Sequence, residues 1–104
     1  MNRSALLRGK YKCPDICVYA FKMDDEIMYI GSSDITPFRL NEHYLGYRSF
    51  KERSNYNRLE FESNFTWHIL WYGDSKEDAI HMEKINIKTF QPKFNKIKYK
   101  TYEG

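Results

Sequence analysis

Apolar and polar positions along the chain fall into stretches of differing period. Residues 15–23 (DICVYAFKM) are dense in β-formers, and Ile16 to Phe21 are apolar whichever side they face. That pattern predicts a strand buried in part on both faces. Asp24-Asp25 then reads as a tight turn and residues 26–31 as a second strand, which makes a hairpin. Thr36-Pro37 resembles a helix start, with Thr36 as N-cap and Pro37 at the first helical position. This helix is expected to run to about Tyr47, packing through Leu40, Tyr44 and Tyr47 at spacings of four and three. Residues 49–63 are polar and without clear period, a loop followed by a short helix near 58–62. Residues 65–72 (FTWHILWY) form the clearest strand, bounded by Asn64 and Gly73-Asp74. Ser75-Lys76-Glu77-Asp78 fits a capping box, opening a helix that reaches Thr89 or Phe90 and stops before Pro92. The order, ββααβα with the short helix counted, predicts an α+β domain: a small three-stranded antiparallel sheet flanked by helices.

At 104 residues the chain is expected to be one domain, with a core over about 15–97 and basic termini at 1–14 and 98–104. Aromatic residues make up 17% of it, enough large rings for a single core without disulfides. The run Ala5-Leu6-Leu7 is too short for a secretory signal, and no stretch is long enough to span a membrane. Cys13 and Cys17 lack the second Cys pair or nearby His that a zinc site needs, so reduced thiols and a cytoplasmic location are expected. Lys, Asn, Ile and Tyr are frequent, which suits an AT-rich genome such as a phage's; the location would then be the host cytoplasm.

The net charge of +3 is unevenly placed. Arg3, Arg8, Lys10 and Lys12 give residues 1–14 a charge of +4, and Lys93, Lys96, Lys98 and Lys100 against Glu103 give residues 92–104 a charge of +3. The residues between carry −4. Basic ends on a mildly acidic body suit contact with a polyanion, although solvated tails have the same composition.

Several polar residues sit where packing alone would not put them. Glu83 falls at the centre of the arc formed by Ala79, Ile80, Met82, Ile87 and Phe90, with His81, Lys84 and Lys88 opposite. A carboxylate there must be paired, bound to a metal, or at the lip of the core reaching water. Arg39 and His43 are one helical turn apart and so project from one flank, either as a surface pair or as chemistry. Tyr19 and Tyr29 lie in the two hairpin strands, where aromatic packing still leaves each hydroxyl needing a partner. Gly31, closing the second strand before Ser32-Ser33, permits a close backbone approach or a turn.

Taken together, the spacing of these residues resembles the GIY-YIG nuclease superfamily. The first strand motif reads Cys17-Val18-Tyr19 and the second Tyr29-Ile30-Gly31. Arg39 falls eight residues after the second glycine and His43 four further on. Glu83 precedes the turn Pro92-Lys93-Phe94-Asn95. The resemblance spans about residues 16–96. It departs at Cys17, which stands at the first motif's glycine and leaves that backbone less bare; Val18 for isoleucine is conservative.

The resemblance implies a divalent-metal-dependent endonuclease that hydrolyses DNA phosphodiester bonds; the sequence does not decide between DNA and RNA. Glu83 would hold one Mg²⁺, or Mn²⁺ in its place, since no second matched carboxylate supports a two-metal scheme. Arg39 would bind the non-bridging phosphate oxygens, Tyr19 or His43 would activate water, Tyr29 would position water or phosphate, and Asn95 would hydrogen-bond within the site. Nucleic-acid contacts are expected from Arg48, Lys51, Arg53 and Arg58, interleaved with Phe50 and Tyr56, and from Lys93 and Lys96. Cutting both strands would call for a homodimer or repeated visits, and specificity for a partner protein. The alternatives are a non-catalytic nucleic-acid-binding module and a phage accessory or interaction protein.

Overall fold

The computed structural model describes residues 13–45 and 63–95. Its elements follow the order β1 (Cys17–Met23), β2 (Glu26–Ser33), α1 (Thr36–Leu45), β3 (Thr66–Tyr72) and α2 (Lys76–Phe90). The strands form one antiparallel sheet in the order β2-β1-β3. The expected α+β architecture is therefore present; the short helix near 58–62, residues 49–62 and Tyr47 lie outside the described residues.

β1 is the strand whose sequence is apolar in both directions, and it is the central one. Its side chains alternate between two cores. Tyr19 and Phe21 join Met28, Tyr29, Leu40, Tyr44, Phe65, Trp67 and Phe94 beneath α1. Val18 and Ala20 join Ile30 and Ile87 beneath α2. The turn between β1 and β2 has φ of 52° at Asp24 and 64° at Asp25, and Met23 pairs directly with Glu26. Two positive φ values in a two-residue loop match the right-handed twist of the strands, and Asp tolerates that region better than most side chains.

Local capping decides the ends of α2. The Ser75 hydroxyl accepts from the Asp78 amide at 3.3 Å, as the capping box predicts, and Gln91 closes the helix in the left-handed region at φ 47°. At α1 the expectation is corrected. Thr36 is already helical, and its hydroxyl does not cap; it donates to the Asp15 carbonyl at 2.9 Å, which also accepts from the Thr36 amide at 3.0 Å. The side chain that serves the turn into α1 is Ser33, whose oxygen accepts from the Ile35 amide at 2.9 Å. Asp15 and Ile16, expected in the strand, instead lead into it, because the Asp15 carbonyl is committed to α1. β2 runs on through Ser32 and Ser33, which pair with Val18 and Cys17.

Beyond α2 the chain wraps the outer edge of β2. Ile87 packs on one face of the sheet and Phe94 on the other. Between them in space, Asn95 meets the strand edge: its Oδ1 accepts from the Ile30 amide at 2.7 Å, and its Nδ2 donates to the Ile30 carbonyl at 2.9 Å. The side-chain amide thus takes the place of a neighbouring strand. No helix among the described residues is long and apolar enough to cross a membrane.

Replacing Asn95 by Ala leaves both Ile30 groups without this partner in a buried place. The expected cost is about 2–4 kcal/mol, read as a lowered urea midpoint; an unchanged midpoint would mean that water serves the edge as well.

Candidate active site at the end of strand β2

Tyr19 and Gly31 are opposite one another in the register of β1 and β2. A Cβ at position 31 would lie 2.6 Å from the Tyr19 Oη and 2.7 Å from its Cζ, so the phenol crosses β2 at the one place where the strand carries no side chain. Glycine is needed here for close approach. His43 descends from α1 onto the same face, with Nε2 2.9 Å from the Tyr19 Oη. It is 1% exposed. Its ring stands edge-on to Tyr19, Phe21 and Tyr29, at centroid distances of 5.6, 5.2 and 5.5 Å. The surface-pair reading of His43 is thus excluded. A phenol and an imidazole at this distance share one proton: either Tyr19 donates to Nε2, or Nε2–H donates to the phenol.

Arg39, one turn before His43, has a different setting. The two are neighbours on α1, but they differ in depth. Along α1, Thr36, Leu40, His43 and Tyr44 are buried, while Phe38 is exposed and Arg39 stands at the margin. Arg39 pairs with Glu42 at 3.0 Å, its side chain 25% exposed. It lines a groove of about 250 Å³ together with Ser32, Ser33, Asp34, Lys76, Ala79 and Ile80. One wall comes from α1, the other from the start of α2, and the end of β2 lies between.

Glu83 belongs to the buried line of α2, four residues from both Ala79 and Ile87, which are 1% and 8% exposed. It is itself half-buried. The arc assigned to it was too wide, since Ile80 and Phe90 are 38% and 51% exposed. α2 covers β2, an edge strand, and that leaves only a narrow stripe of the helix to bury. Glu83 therefore stands at the lip of the core, one turn along from Ala79 and Ile80 in the groove wall. Among the described residues no three His, Cys, Asp or Glu side chains cluster as a metal cage. A cation held by Glu83 would keep most of its own water, which fits the hard, octahedral Mg²⁺.

Other expected residues are placed apart from this set. Asn95 spends both ends of its amide on Ile30, so it positions β2 rather than presenting a free group in the site. Lys93 lies toward the β1–β2 turn, bordering a hollow with Lys22, Asp25 and Glu26, its Nζ 5.7 Å from the Phe94 ring. That is the opposite end of β2 from Arg39. Arg48, Lys51, Arg53, Arg58 and Lys96 lie outside the described residues. Cys17, at the motif glycine, is wholly buried with its Sγ 3.5 Å from the Pro14 carbonyl, and so it does not stand between Tyr19 and His43. Cys13 and Cys17 are free thiols; the hydrogen bond to Cys17 and then burial push the Cys13 thiol up.

Glu42, Ser32 and Lys76 were missed by sequence reasoning. Glu42 was visible as an acid three residues after Arg39 on one helix. Ser32 was visible as a polar residue following Gly31. Nothing local marks Lys76, because only the fold brings the start of α2 to the end of β2.

Comparison with known proteins bears on the family and the fold. The family described as GIY-YIG catalytic domain matches residues 15–98. Crystal structures of the GIY-YIG N-terminal endonuclease domain of UvrC from Thermotoga maritima share the fold. A point mutant bound to its catalytic divalent cation matches with a TM-score of 0.58 and 20% identity, over 86% of this chain and 92% of that one. The magnesium-bound domain matches with a TM-score of 0.56 and 22% identity, over 86% and 93%. No curated protein shows a significant match.

Gly31→Ala forces the Tyr19 ring away from β2. It is expected to cost about 1–3 kcal/mol and to exceed the cost of Tyr19→Phe, both read from urea midpoints. A Gly31→Ala midpoint at or above that of Tyr19→Phe would show that the close approach is not rigid.

Proposed function

The chain belongs to the GIY-YIG family, and on that premise we propose that it is a divalent-metal-dependent endonuclease that hydrolyses phosphodiester bonds of DNA. The observation that carries this reading is the buried contact of 2.9 Å between Tyr19 Oη and His43 Nε2. A packing tyrosine needs only one hydrogen bond to satisfy it. Here the partner is itself a titratable ring, enclosed by aromatic edges on the same α1 that carries Arg39 to the groove.

In the proposed mechanism Arg39 binds the non-bridging oxygens of the scissile phosphate. Glu42 holds the guanidinium by one nitrogen at 3.0 Å, which leaves its other N–H groups for a forked contact. Tyr19 passes its phenolic proton to His43 Nε2, and the resulting phenolate takes a proton from the attacking water as the new P–O bond forms. The bond to the 3′ oxygen breaks in the same displacement. Tyr29, 7% exposed and edge-on to the His43 ring, positions water or phosphate. Glu83 would hold the cation, Mg²⁺ or Mn²⁺, which supplies positive charge to polarise the phosphate and offset the leaving oxygen. Asn95 keeps β2, and with it Gly31 and Tyr29, in register. The basic segments at 1–14, 48–58 and 92–104 would contribute backbone affinity.

Supercoiled plasmid and branched DNA incubated with Mg²⁺, Mn²⁺ or EDTA test the proposal. Nicking is expected with either metal, none in EDTA, and none from Glu83→Gln, which should still bind DNA. Arg39→Ala is expected to lower kcat about 100-fold. Cutting that persists in Glu83→Gln, or DNA binding with no cutting by the intact protein, would overturn the mechanism; the second outcome is that of a binding module.

A further inference from the structure

The groove at the end of β2 holds a second cation that the mechanism above does not use. Lys76 is the first residue of α2 and lines the same groove as Arg39. Its Nζ lies 3.9 Å from Asp34 Oδ2, with the two side chains 60% and 48% exposed. A pair so open and so long contributes little to stability. The lysine is therefore free to exchange Asp34 for a stronger anion. Arg39, by contrast, is held at 3.0 Å and is less exposed.

The rest of the lining suits such an anion. The Ser32 hydroxyl makes no hydrogen bond with the described residues, and the Ser33 oxygen accepts from the Ile35 amide, which leaves the Ser33 O–H to donate. Ala79 offers no bulk to the α2 wall. A cavity of about 250 Å³ is smaller than the usual pocket for a drug-sized ligand, and it has room for one tetrahedral group with some of its water. One acid lies in the lining, Asp34, and it is the residue Lys76 touches.

We propose that this groove seats one phosphodiester group of the nucleic acid, and that Lys76 is its cationic ligand from the α2 wall, as Arg39 is from the α1 wall. Asp34 is the built-in competitor that holds Lys76 when the seat is empty. The seat joins the two helices that carry the proposed chemistry, so a backbone gripped at both walls is fixed relative to Tyr19 and Glu83. This inference rests on the nuclease reading, and it adds to that reading a binding residue on an element where the family resemblance assigned only Glu83.

The test uses the full chain, a labelled short duplex DNA and EDTA, so that binding is measured without cutting. Lys76→Ala is expected to weaken binding roughly fivefold and to make the plot of log affinity against log salt shallower by about 0.9. Lys76→Arg should restore both. Asp34→Asn should tighten binding roughly twofold, a gain that damaged folding cannot produce. In Mg²⁺, the loss in Lys76→Ala should fall more on KM than on kcat. Wild-type binding with slope and affinity unchanged in Lys76→Ala, or Asp34→Asn no tighter than wild type, would overturn the seat and leave the nuclease proposal standing. A wild type that neither binds nor cuts duplex or branched DNA would overturn both together.

Discussion

Two hydrogen bonds from one side chain hold this structure's geometry in place. β2 is an edge strand, and the outward amide and carbonyl of Ile30, buried here, would otherwise lack a partner. Asn95 takes both. The same bonds anchor the segment after α2, so that Ile87 of α2 packs on one face of the sheet and Phe94 of that segment on the other. β2 is therefore gripped from its edge and from both sides. Tyr29 and Gly31 lie on that strand, and Arg39 and Glu83 lie on the two helices packed across it. A shift of β2 by one residue would turn every side chain on it to the opposite face.

Around that fixed strand the candidate chemistry divides into two zones. The proton-sharing pair Tyr19–His43 is buried, with aromatic edges as its walls. Arg39, Lys76 and the two serines stand at the surface, where charge and hydroxyls meet water. Glu83, on α2, is intermediate in burial between the two. The division is physically reasonable: a proton moves between two groups best when their spacing is held by packing, whereas a polyanion must be met by groups already accessible.

Local rules made much of this fold legible in the sequence. The Asp24-Asp25 turn, the Ser75 cap and the stop before Pro92 each depend on residues within a few positions, and each is found as expected. What distance along the chain separates was harder to see. Asn95 could be singled out, but its partner is Ile30, 65 residues away. Thr36 reads as an N-cap, yet a carbonyl 21 residues earlier takes its hydroxyl. Helical periodicity placed Glu83 on the right line of α2 and overstated the width of the buried face, because period alone does not say that α2 covers the margin of the sheet. The spacing of Arg39 and His43 was legible, but not that one would reach the groove and the other the core.

The position of His43 at 1% exposure has a consequence for how activity and folding are related. Tyr19, Tyr29 and His43 are core residues in the same sense as Phe21 and Trp67. A loosened state that kept its sheet and lost its fixed packing would retain Lys76, Arg39 and the basic segments, and so its attraction to polyanions. It would lose the alignment of phenol and imidazole. If the chain is the nuclease proposed above, adhesion to nucleic acid would outlast catalysis as the molecule melts, and heat would turn a cutter into a coat before it yielded a random coil.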